Sequence, residues 1–132
     1  MDRAATSIAG TDDLERQRFE QFFPRLFAYA FSFVGDDAGA RDVVIEAFSR
    51  AFTFDRALND EQFPMALFAI ARGMLHPEGR KGPNDGLTPR EREVVALLFD
   101  ARLSRREVAA LMRIGDEAVT AALLRGLRKL QA

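Results

Sequence analysis

With 132 residues, 30% of them charged and a formal net charge of −1, the chain has room for one ordinary domain or two very small ones and reads as globular rather than disordered. It has no cysteine and one histidine, His76, which excludes disulfide scaffolds, thiol catalysis and zinc fingers and works against Ser-His-Asp chemistry or a His-rich metal site. A binding protein is expected rather than an enzyme, with no catalytic residue, metal or cofactor. No apolar run approaches the roughly 18 residues of a membrane span, and Met1 to Thr6 lacks the apolar core of a signal peptide, so a cytoplasmic protein is expected.

Apolar residues recur at three- and four-residue steps along the chain, which predicts an all-α fold. Phe19, Phe22, Phe23, Leu26, Phe27, Ala30 and Phe31 form the first stripe, with Pro24 inside it, so one kinked helix or two abutting ones are expected after an N-terminal tail of residues 1–16. A second helix, capped by Asp36 or Asp37, buries Ala40, Val43, Val44, Ala47, Phe48, Ala51 and Phe52. A third follows Asn59, Asp60 and Glu61, presents Phe63, Leu67, Ile70, Ala71 and Met74, and stops before Pro77. The stretch from His76 to Gly86 holds two prolines and three glycines and reads as a linker.

Beyond it, Thr88-Pro89-Arg90-Glu91 is a capping box that opens a helix through Val94, Val95, Leu97 and Leu98. A second box, Ser104-Arg105-Arg106-Glu107, opens a short helix with Val108, Ala109, Leu111 and Met112 inward. After Arg113-Ile114-Gly115 comes a last helix with Val119, Leu123, Leu127 and Leu130 on one stripe, the pattern of a helix-turn-helix. Charge is unevenly divided: residues 1–86 carry 10 Lys/Arg against 14 Asp/Glu, net −4, and residues 87–132 carry 9 against 6, net +3. Asp36-Asp37 reads as a helix cap rather than a metal site, and Gly79-Arg80-Lys81-Gly82 lacks the spacing of a phosphate loop.

The segment from Phe19 to Ala30, the block from Gly35 to Phe48 and the stretch from Phe63 to Arg72 resemble region 2 of the extracytoplasmic-function sigma factors of bacterial RNA polymerase. The stretches Leu87 to Val94, Leu103 to Ala109 and Leu123 to Leu130 resemble region 4 of the same family. The C-terminal pattern is also similar to LuxR-type regulators; the phenylalanine-rich first helix beside the Ala40 to Phe48 block favours the sigma-like reading. The resemblance implies a region 2-like domain over 17–76, a linker over 77–86 and a region 4-like domain over 87–132. It also implies RNA polymerase core and promoter DNA as partners, with an anti-sigma factor as a further one.

By the same resemblance, Arg41, Asp42, Glu46 and Arg50 on the second helix would dock on polymerase, as a helix face of both charge signs is suited to do. Phe54, Arg56 and Arg72 would meet melted promoter bases and phosphates; Thr120 occupies one of the family's basic positions on the last helix, and Arg125, Arg128 and Lys129 lie beyond its reading end and would serve phosphates. The chain departs from the family at Ile45, where glutamine is usual, at Gly73, where asparagine is, and at Arg113, where the turn has glycine. Asp116 and Glu117 stand at the leading end of the last helix, where acids repel a duplex, so upstream-element recognition is expected to be weak. A sigma-factor mimic acting only through protein contacts is the first alternative, and a LuxR-like helix-turn-helix regulator the second.

Overall fold

The computed structural model describes residues 4–54, 58–79 and 86–131. Six α-helices form these residues: α1 (Ala4–Val34), α2 (Asp37–Phe54), α3 (Gln62–Leu75), α4 (Pro89–Val95), α5 (Arg105–Met112) and α6 (Asp116–Gln131). There is no strand among them, as the helical periodicity predicts. Among the described residues, no helix is long and apolar enough to cross a membrane.

The residues expected as an N-terminal tail are helical from Ala4, and α1 passes through Pro24 without dividing. Pro24 and Glu20 are exposed, so the backbone bond that Pro24 cannot make to the Glu20 carbonyl is lost on the solvent side of the helix. The buried face of α1 is Phe22, Leu26, Tyr29, Ala30 and Phe33; Phe31, expected inward, is exposed. Asp36 Oδ1 accepts from the Gly39 N–H at 2.7 Å and caps α2. A Cβ on Gly39 would stand 2.7 Å from Val34 Cγ1, so this close approach of α2 to the end of α1 requires glycine.

α2 buries Ala40, Val44, Ala47, Phe48 and Ala51, and α3 buries Phe63, Leu67, Phe68, Ala71 and Leu75. Phe63 is the ring where the three helices meet, with centroids 5.9 Å from Phe22 and 6.5 Å from Phe48. The Arg18 guanidinium lies 4.6 Å from the same ring and donates to the Leu58 carbonyl at 2.9 Å. Asn59 starts α3: its Oδ1 accepts from the Gln62 N–H at 2.8 Å, and Gln62 Oε1 accepts from the Asn59 N–H at 3.1 Å.

Both C-terminal capping boxes form as expected, Thr88 with Glu91 and Ser104 with Glu107. α4 then widens into a π-helical turn over Ala96–Asp100, closed by the Ala101 N–H donating to the Ala96 carbonyl at 2.9 Å. Arg113 ends α5 in the left-handed region at φ +58°. The buried stripe of α6 is Val119, Ala122 and Gly126, a correction to the expected one. Leu123 and Leu127 are only half-buried and Leu130 is exposed. A Cβ on Gly126 would lie 3.1 Å from Val95 Cγ2, so the smallest residues of α6, rather than its leucines, carry the close contact with α4.

The two helical units pack on one another, and their buried residues form a single core. Arg25 of α1 donates from Nε to the Ala101 carbonyl at 2.6 Å and from Nη2 to the Arg102 carbonyl at 3.3 Å, capping the end of the π turn. Burial lowers the Arg25 pKa below its ordinary value, with nearby Glu107 opposing the shift. Part of the expected linker, residues 80–85, lies outside the described residues.

Candidate nucleic-acid interface

α4 carries two buried carboxylates that the sequence pattern does not single out beyond the capping box: Glu91, 2% exposed, and Glu93, 1% exposed. A buried carboxylate has to be paired, and each solves this in a different direction. Glu93 reaches the N-terminal unit, where Tyr29 Oη donates to Oε2 at 2.8 Å and Arg72 donates from Nε to Oε2 at 2.6 Å and from Nη2 to Oε1 at 3.1 Å. Arg72 also donates to Glu78 Oε2 at 3.1 Å. Burial, reinforced by the Glu93 charge, pushes the Tyr29 hydroxyl well above its ordinary pKa, and the bond to Glu93 raises that of Arg72.

Glu91 turns toward α6. Lys129 Nζ donates to its Oε1 at 2.7 Å, Arg125 Nε donates to its Oε2 at 3.1 Å, and the Thr88 N–H donates to Oε1 at 3.0 Å. The Lys129 bond, aided by Thr88 and Arg125 and opposed by burial, holds its pKa at about 2. Lys129 also donates to the Gly86 carbonyl at 3.0 Å, which ties the end of α6 back to the start of the unit.

Of the residues expected to meet DNA, the structure therefore commits Arg72 to Glu93 and Glu78, and Arg125 and Lys129 to Glu91. Thr120 is half-buried and accepts from Arg105 Nη1 at 3.2 Å. Arg128 is exposed and has no ion-pair partner among the described residues. The Phe54 side chain and Arg56 lie outside the described residues. The outward face of α6 presents Glu117 and Leu124, with Asp116 exposed at its start, so cations are sparse where base edges would be read. Exposed Arg102, Arg105, Arg106 and Arg113 gather instead on α5 and its flanking turns, positions suited to phosphates. Sequence reasoning gives these four no role; their clustering about one short helix is the signal that could have found them.

On the other unit, Arg41, Asp42, Glu46 and Arg50 are all exposed along one face of α2, with Ile45 exposed between them. Their one ion pair among the described residues is internal, Arg50 Nε to Glu46 Oε2 at 2.9 Å. The structure thus brings this candidate group together on a free surface.

A short capped helix, a left-handed turn at Arg113 and a longer helix make the C-terminal unit a helix-turn-helix, a class of DNA-binding transcription unit. The sequence agrees: residues 85–132 match the family model of sigma-70, region 4. No curated protein matches the chain.

Proposed function

We propose that the protein is a compact, sigma-factor-like transcription initiation protein, similar to the extracytoplasmic-function group, that binds the RNA polymerase core and engages promoter DNA with a weakened upstream reading helix. The observation that carries this reading is the capped helix-turn-helix of α5 and α6 inside a stretch that matches sigma-70, region 4. The exposed face of α2, which offers both charge signs with an isoleucine at its centre, supports docking on polymerase, since such a face gains orientation from paired charges and affinity from the apolar contact. Arg102, Arg105, Arg106, Arg113 and Arg128 would supply sequence-independent contacts to phosphates.

A second reading, a mimic that works through polymerase or an anti-sigma factor without reading a promoter, is favoured by one observation: Glu91 holds two of the three α6 cations expected to meet DNA. The experiment that separates the two is capture of the tagged protein's partners, followed by an electrophoretic shift of promoter DNA with and without polymerase core. A core-dependent shift supports the initiation factor. Recovery of polymerase or of an anti-sigma-like protein with no shift supports the mimic, and a polymerase-independent footprint on a palindrome by a dimer would overturn both in favour of a LuxR-like regulator.

A further inference from the structure

A cavity of about 530 Å³ opens at the seam between the two units, walled by the end of α1 and by α4 with its π turn. Its apolar lining includes Phe31 and Val34 from the first unit and Leu87, Val95 and Ala96 from the second. The volume falls within the roughly 300–1,000 Å³ of small-molecule sites, and walls contributed by two packed units are a common place for them. In the wide π turn Ala96 and Asp100 both line the cavity. The methyl of Ala96 leaves the space open, and the carboxylate of Asp100 brings a charge to it.

Asp100 is exposed yet has no hydrogen-bond or ion-pair partner among the described residues, and its partial burial raises its pKa. Arg92, also on the wall, is already engaged within the protein. The cavity therefore combines apolar walls with one unpaired negative group, and a ligand that supplies a cation there would form a charge-assisted hydrogen bond.

We propose that this seam cavity binds a small apolar molecule bearing a basic nitrogen, its hydrocarbon body against Phe31, Val34, Val95 and Ala96 and its ammonium on Asp100. Since both units contribute walls, an occupied cavity favours the packed arrangement over any state in which the units separate.

The test uses the full chain with two probes of the same ring system and opposite charge, naphthylmethylamine and naphthylacetate, followed by NMR titration and by the shift in melting temperature. The amine binds saturably, perturbs the signals of Phe31, Val34, Val95 and Ala96, and binds about tenfold more tightly than the acid, as one charge-assisted hydrogen bond requires. Asp100→Asn removes that preference, and Phe31→Ala weakens both probes. Asp100 is exposed, so Asp100→Asn keeps the parent melting temperature without ligand, while Phe31→Ala, which loses the ring stacked on Phe27, is read against its own ligand-free melting temperature. Failure of both probes to saturate, perturbations confined to other parts of the chain, or an amine preference that survives Asp100→Asn would each overturn the proposal. No DNA or polymerase is present, so the result is independent of the proposed role in transcription.

Discussion

α2 and α6 are helices of similar length, 18 and 16 residues, one in each unit, yet they treat their charged residues in opposite ways. On α2 the charges of Arg41, Asp42, Glu46 and Arg50 stay at the surface, and the one ion pair among them, Glu46 with Arg50, lies along the same helix. On α6 the cations of Arg125 and Lys129 are drawn down to Glu91 of α4, leaving Arg128 free of ion pairs among the described residues. Placement on an outward face thus does not decide whether a cation is available to a partner. A buried carboxylate one helix away does, because it cannot stay charged without a cation and its pairing is stronger than an exposed pair's.

The contrast between the two helices is tested most severely at the carboxylates themselves. Glu93→Ala leaves the Tyr29 hydroxyl and the Arg72 guanidinium without their common acceptor and is expected to cost about 3–5 kcal/mol in urea unfolding of the full chain; a loss under about 1 kcal/mol would deny α4 its organising role. Glu91→Gln, which keeps the shape and weakens three bonds, is expected to cost about 2 kcal/mol. The Glu91 pKa lies at about 2 in the folded chain against an ordinary 4.5. Its contribution is therefore complete above pH 4.5 and is lost as the pH falls toward 2. The stability gap between parent and Glu91→Gln should narrow through that window; a constant gap would mean that the pairing is not ionic.

Smaller effects separate the two faces. Arg113 holds a left-handed conformation at φ +58° in the turn before α6, a strain of the order of 1 kcal/mol for a side-chain-bearing residue. Arg113→Gly is expected to raise stability by up to about 1 kcal/mol in thermal melts, and a loss would show that the arginine side chain contributes more than its backbone costs. The double variant Arg41→Glu, Arg50→Glu is expected to change stability by less than about 0.5 kcal/mol while abolishing capture of polymerase core. Intact capture would remove α2 from the docking surface.

The residues that cap and line the helices are legible in the sequence because their signals are local. Thr88 with Glu91 and Ser104 with Glu107 form the reciprocal bonds that their spacing predicts, and Asp36 caps α2. The α2 surface is legible for the same reason, since an exposed face needs nothing from distant residues. The pairing of Glu91 with Arg125 and Lys129, and of Glu93 with Tyr29 and Arg72, depends on partners 21 to 64 positions away, which helical periodicity does not connect. Periodicity misreads the stripe of α6 because it weights leucine, whereas the contact with Val95 selects Gly126 for its lack of a side chain. The π turn after α4 is hidden because Ala96 to Asp100 continues the apolar pattern of an ordinary helix, and its end is secured from outside by Arg25 of α1.

Whether Glu91 withholds the α6 cations from DNA is decided by the salt dependence of binding to a nonspecific duplex, measured for the parent chain and for Glu91→Gln with both confirmed folded by melting. Release of Arg125 and Lys129 is expected to steepen the slope of log K against log salt by up to about 1.8, at roughly 0.9 for each phosphate that a freed cation reaches. Equal slopes for the two proteins would contradict it.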